Sequence, residues 1–193
     1  MMHALYRWTM GLAAHAHARW ALFWVAFVES SFFPIPPDVL LLPMVLARRL
    51  QAWVYASICT IGSVLGGLAG YAIGYFLYDT VGKRVLEVYG HADKFEQFSS
   101  QYNEYGAWIV FIAGVTPFPY KVITIASGVA GLNLLVFLIA SVIARGLRFF
   151  AVAALLYFFG PPIKAFIEKW LNLLSILFVI VLVGGFIALR YVF

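Results

Sequence analysis

Apolar residues run along this chain in long stretches that polar positions interrupt at only a few places. Residues 20–28 are apolar, Glu29 intervenes, and Val39–Ala47 is apolar again. Ala52–Tyr78 carries no charge. A polar interval follows over 79–106, with mixed charges that read as a solvated face. Trp108–Gly114 is apolar, the stretch from Thr116 to Lys121 interrupts it, and Val122–Gly131 resumes. Leu134–Phe159 is a second long run, stopped by Gly160-Pro161-Pro162, and Leu171–Leu189 is a third. A helix needs ~20 predominantly apolar residues to cross a bilayer. The three long runs meet that length. The two interrupted ones do not, and each predicts a helical hairpin that enters and leaves on one side. Irregular backbone at that depth is tolerated only where protein buries it or a wet cavity solvates it.

Both interruptions are proline breaks. Pro34, Pro36, Pro37 and Asp38 form the first; Pro117, Pro119 and Lys121 form the second. Pro34 matches Pro117, Pro36 matches Pro119 and Asp38 matches Lys121 at one constant offset. Paired breaks in corresponding halves are a sequence pointer to a transporter's binding site. One long run lies between the hairpins, so the second should open towards the opposite side. The expected fold is therefore an all-α integral membrane protein of two inverted repeats. Each repeat is a proline-broken re-entrant hairpin plus a transmembrane helix. Repeat 1 covers residues 20–78 and repeat 2 residues 107–160. An interfacial amphipathic helix is expected over 1–19, a loop with one or two short helices over 79–106, and a C-terminal transmembrane helix over 171–192, all within one membrane domain. The leading segment has no clear small-residue cleavage site and is expected to persist.

Gly62, Gly66, Gly70 and Gly74 recur at every fourth position of the first long run. Such a stripe places small residues on one face and allows another helix to approach closely. That helix belongs either to this chain or to a second copy in a homo-oligomer.

Composition agrees with the pattern. The 193 residues are 64% hydrophobic and 11% charged, against about 25% charged in soluble domains, and the mean hydropathy is +0.95. The +5 net charge is dispersed, with no basic run of the kind that binds nucleic acid. The single cysteine, Cys59, excludes an internal disulfide. His15 and His17 do not share a helical face, so no metal site is expected. Ser30 and Ser31 lack a neighbouring histidine to activate them. Neither an enzyme nor a cofactor is expected.

Five charges remain inside the apolar segments: Glu29, Asp38, Lys121, Arg145 and Arg148. Each costs roughly 2.5–3.5 kcal/mol at a membrane helix centre, so they must pair or reach water. Arg145 and Arg148 are three apart and share a helix face. Guanidinium forks suit phosphate or carboxylate. Two readings are compatible: an anion site formed by Arg145, Arg148 and Lys121, or structural ties from the arginines to Glu29 and Asp38. The carboxylates are candidates for proton coupling or gating. Symmetry also brings Asp38 and Lys121 together across the axis. Thr116 and Ser127 are candidates to satisfy backbone groups freed by the second break.

The stretch from Glu29 to Asp38, the glycine stripe, the Ser127-Gly128-Val129-Ala130-Gly131 segment and Arg145-Gly-Leu-Arg148-Phe149 resemble the DedA family of SNARE-associated, or VTT-domain, membrane proteins, in particular its YqaA-type branch. The resemblance covers about residues 20–160. It implies opposed re-entrant hairpins and movement of lipids or lipid-linked phosphates, such as undecaprenyl phosphate, between leaflets, in some members with protons. It also implies the bacterial inner membrane. Glu29 and Asp38 match the family's acidic hairpin positions. The second hairpin departs from the pattern, because Lys121 follows the prolines where many members carry an arginine before them. The other function classes are a transporter of a small soluble anion or drug, and a non-transporting membrane scaffold.

Overall fold

The computed structural model describes residues 17–31, 36–82, 92–116, 119–160 and 162. The interfacial helix expected over 1–19 lies almost wholly outside these, as do Pro34, Pro117 and the helix expected over 171–192. The described residues are helical and contain no strand. The helices are α1 (Ala18–Ser31), α2 (Asp38–Ala47), α3 (Ala52–Leu77), α4 (Ala92–Val115), α5 (Tyr120–Val129) and α6 (Leu134–Gly160). A 3₁₀ turn, Arg49–Gln51, leads into α3, and a π-helical turn, Tyr78–Gly82, continues it.

At 1.5 Å per residue, the 26-residue α3 and the 27-residue α6 each extend about 40 Å, more than the ~30 Å hydrocarbon core requires. Both are apolar enough to cross it. The ten-residue α2 and α5 are apolar but too short. Each begins directly after proline. Pro37 already has helical geometry, and its carbonyl accepts from Leu40 and Leu41. Pro119 is extended, and its carbonyl accepts from Val122. A proline here forfeits little, since the first N–H groups of a helix have no internal acceptor.

The polar interval departs from the expected loop. From Ala92 it is one continuous helix, α4, that runs without a break to Val115. Its polar beginning is anchored from the α5 end: the Ala130 carbonyl accepts from Ser99 Oγ at 2.7 Å and Asn103 Nδ2 at 2.9 Å, and the Tyr102 and Ser127 hydroxyls bond at 2.9 Å. These contacts reward helix where composition alone favoured loop.

α3 is the central element. Its glycine stripe is filled from within the chain. A Cβ at Gly62 would lie 2.6 Å from the Phe23 carbonyl oxygen, and one at Gly66 2.8 Å from the Phe27 carbonyl carbon. Gly70 faces Thr124, and a Cβ at Gly74 would stand 2.9 Å from the Ile125 carbonyl carbon. The first half of the stripe thus seats α1 and the second half seats α5. α1 answers with Ala18, Leu22, Ala26 and Ser30, buried at four-residue steps. A second copy of the chain would have to use another face.

α5 closes on Gly131 at φ 64°, and the Leu132 amide bonds back to the Ser127 carbonyl at 3.0 Å. This left-handed C-cap turns the chain into α6. Asn133 caps α6, accepting from Leu135 and Val136 at 2.9 and 3.2 Å. α6 runs antiparallel to α3: Tyr71 near the end of α3 donates to the Leu132 carbonyl, and Trp53 near its start packs on Phe150 and Tyr157. Arg49 donates to the Tyr157 carbonyl at the far end of α6.

Two apolar clusters result. One joins Leu22, Leu41, Met44, Tyr55 and Phe149 around the first half of α3 and the second half of α6. The other joins Tyr102, Val110, Tyr120, Leu132 and Phe137 around the opposite halves. Between them, near the middle of both long helices, lies a band of buried polar side chains.

Candidate functional site

The band is built from α1, α2, α3, α5 and α6. Arg145 is fully buried on α6. Its Nη2 donates to Glu29 Oε2 at 2.9 Å and its Nε to Ser63 Oγ at 2.6 Å. The Ser63 and Ser30 hydroxyls lie 2.6 Å apart, and Ser30 reaches Glu29 Oε2 at 3.0 Å. The directions follow from chemistry. Arginine N–H can only donate and a carboxylate only accepts, so Ser63 donates to Ser30 and Ser30 to Glu29. The four groups close a ring in which every hydrogen bond reinforces the next. The guanidinium also lies 4.8 Å from the Tyr120 ring centre and 4.7 Å from that of Phe149, an arrangement that stabilises a desolvated cation. Tyr120 is fixed in turn by its hydroxyl, which donates to Ser141 at 2.5 Å.

Arg148 lies one turn further along α6. Its Nη2 donates to Asp38 Oδ2 at 2.7 Å and its Nη1 to the Thr116 carbonyl at 3.3 Å. One guanidinium therefore joins the residue just after the first break to a residue just before the second. The two ion pairs differ in environment. Side-chain exposures are 1% for Arg145 and 16% for Glu29, but 19% for Arg148 and 24% for Asp38. Two atoms in the band are buried with no hydrogen-bond partner, Arg145 Nη1 and Asp38 Oδ1.

The structure thus brings four of the five predicted charges into two ion pairs. Lys121 stands apart, half-buried in the first turn of α5 and with no ion pair among the described residues. The expected Asp38–Lys121 approach forms no ion pair; Asp38 pairs with Arg148 instead, through Oδ2. The role foreseen for Ser127 is also different: its hydroxyl serves Tyr102. Thr116 contributes its carbonyl, not its side chain. The hydroxyl that serves a freed backbone group is Thr124, which donates to the Ser30 carbonyl at the end of α1, 3.2 Å away. Ser31 ties α1 to α3, its hydroxyl lying within hydrogen-bond reach of the Phe27 and Gly66 carbonyls. Pro37 and Pro119 directly precede Asp38 and Tyr120.

Ser63, Tyr120, Ser141 and Phe149 were not foreseen. Ser63 had a legible signal, as one of few hydroxyls in an uncharged run and next to a stripe glycine. The others had none, since an aromatic residue in an apolar helix is ordinarily packing. Among the described residues no group of three His, Cys, Asp or Glu side chains gathers as a metal site.

The VTT domain family matches residues 35–161, a range that contains both ends of the Arg148–Asp38 pair. Over 189 residues the chain is 35% identical to an uncharacterized protein of Haemophilus influenzae, covering 96% of each. It is 34% identical over 186 residues to the uncharacterized HI0703 homologue of Histophilus somni, covering 96% of this chain and 97% of that one. No solved structure matches. The matched family and the two membrane-length apolar helices both point to a membrane protein, and the chain belongs to the VTT-domain, or DedA, family.

Proposed function

We propose that this protein carries a lipid phosphate, or a lipid-linked phosphate, from one leaflet to the other. The observation that carries the reading is the buried charge band near the middle of both long helices, where Arg145 pairs with Glu29 and Arg148 meets the ends of both proline breaks. Charges at that depth are expensive, and a purely structural role would favour apolar replacements of similar volume. An arginine fork matches a phosphate group in geometry and charge. The breaks on either side act as two opposed re-entrant hairpins, one open to each face of the membrane. The similar bounds of α2 and α5, each followed by a membrane-length helix, support that inverted repeat. Exposure of the band alternates between the faces as one hairpin closes and the other opens. A proton delivered to the Asp38 side chain releases Arg148, which couples transport to a proton gradient. Lys121 adds a positive charge beside the second break. The setting of this proposed function is the cytoplasmic membrane of a bacterium, as the family resemblance implies.

The test is flux in reconstituted vesicles with labelled lipid phosphates on one leaflet. The parent chain should move them, and Glu29→Ala and Arg145→Ala should not. Full flux in either variant, with normal insertion, would sink the assignment. A membrane scaffold would show no flux in any form.

A further inference from the structure

The geometry points to a division of labour between the two ion pairs: Glu29–Arg145 is a fixed strut, and Asp38–Arg148 is a latch that opens so that Arg148 alone takes the phosphate-bearing anion. This deepens the transport reading above and rests on it.

Three observations separate the pairs. First, the Glu29–Arg145 pair is enclosed. Arg145 is 1% exposed, flanked by the Tyr120 and Phe149 rings, and tied into the Ser30–Ser63 ring. Opening it breaks several hydrogen bonds at once and strands a buried charge. Second, both partners of the Asp38–Arg148 pair are about one-fifth to one-quarter exposed, whereas in the other pair only Glu29 has appreciable exposure, at 16%. The Phe149 ring lies farther from Arg148, at 5.9 Å. Third, both bonded nitrogens of Arg148 are spent on the break segments, Asp38 on one side and the Thr116 carbonyl on the other. Releasing Asp38 therefore does two things together. It frees donors of a fork that can grip an oxyanion bidentately, and it unties the first break from the second. Ligand capture and loosening of the hairpins become one event. Asp38 acts as an internal competitor for the substrate's phosphate.

The experiment measures binding of a fluorescent phosphatidic acid to the purified full chain in micelles, with melting temperature recorded for every variant. Inorganic phosphate and phosphatidylcholine serve as competitors. Asp38→Asn removes the competitor and should tighten binding about fivefold, the factor by which a partly exposed ion pair holds the site closed. Arg148→Gln should weaken it at least about tenfold, and Arg148→Lys, which keeps charge but loses the fork, should recover only part. Glu29→Gln should lower the melting temperature more than Asp38→Asn does and give no tightening. Equal tightening by Glu29→Gln and Asp38→Asn would overturn the division while leaving transport intact. Weaker binding by Asp38→Asn, at an unchanged melting temperature, would overturn the latch as well. Displacement by inorganic phosphate as effective as by lipid would support the latch with a soluble anion as its ligand. A parent chain that binds phosphatidic acid no better than phosphatidylcholine, is not displaced by inorganic phosphate and shows no lipid flux would overturn the transport reading and this inference with it.

Discussion

Removing the Glu29 carboxylate while keeping Arg145 should be among the most damaging single changes in this fold. In Glu29→Ala the guanidinium stays fully buried and loses the acceptor of Nη2, which joins the already unpartnered Nη1. Stranding a buried charge typically costs 3–5 kcal/mol. Here the Ser63 hydroxyl still accepts from Nε and two aromatic rings remain, so the lower end, about 3 kcal/mol, is expected. Arg145→Met leaves Glu29 with one hydroxyl donor and 16% exposure, for about 2 kcal/mol. The double variant strands neither charge and should cost only about 2 kcal/mol in lost packing. The cycle then shows a coupling of roughly 3 kcal/mol. The assay is denaturant unfolding in mixed micelles, followed by the fluorescence of the six tryptophans. A double variant whose cost lies within about 0.5 kcal/mol of the two single costs combined would refute the ring as a unit.

Ser63→Ala deletes the hydroxyl that bridges Arg145 to Ser30 and should destabilise by about 1–3 kcal/mol, measured in the same unfolding assay. Gly66→Ala pushes a methyl group into the Phe27 backbone; α1 must move away, at about 1–3 kcal/mol, and cysteines placed on α1 and α3 should then cross-link more slowly. Gly131→Ala forces a side chain into a left-handed turn and should cost about 1 kcal/mol in melting experiments. Cys59 is fully buried, so a maleimide should leave it unmodified in the folded protein and label it on unfolding, as read by mass spectrometry.

Much of this architecture was legible because membranes make sequence patterns blunt. The long apolar runs gave α3 and α6, and the prolines gave the starts of α2 and α5. The stripe from Gly62 to Gly74 announced a close contact, but spacing alone could not say that two different helices share it. The continuity of α4 was hidden, since its first turns are polar and are held by the distant Ala130 carbonyl. The five charges were legible as a problem of burial. Their pairing was legible in part: ties from the two arginines to Glu29 and Asp38 were one of the two readings, and both form. Symmetry had also favoured Asp38 with Lys121, and nothing in the sequence showed that Arg148 reaches both breaks. Ser63 and Tyr120 owe their roles to where α3 and α5 cross α6, which no local pattern encodes.

The Glu29–Arg145 pair also sets a timetable for biogenesis. The two residues are 116 positions apart. At roughly 5–20 residues per second of synthesis, Glu29 leaves the ribosome about 6–23 s before its partner. Throughout that interval the carboxylate on α1 lacks its native arginine, and Ser30 is the one other donor of the finished ring that bonds it. The buried ring of Arg145, Glu29, Ser30 and Ser63 can therefore close only once α6 has been made.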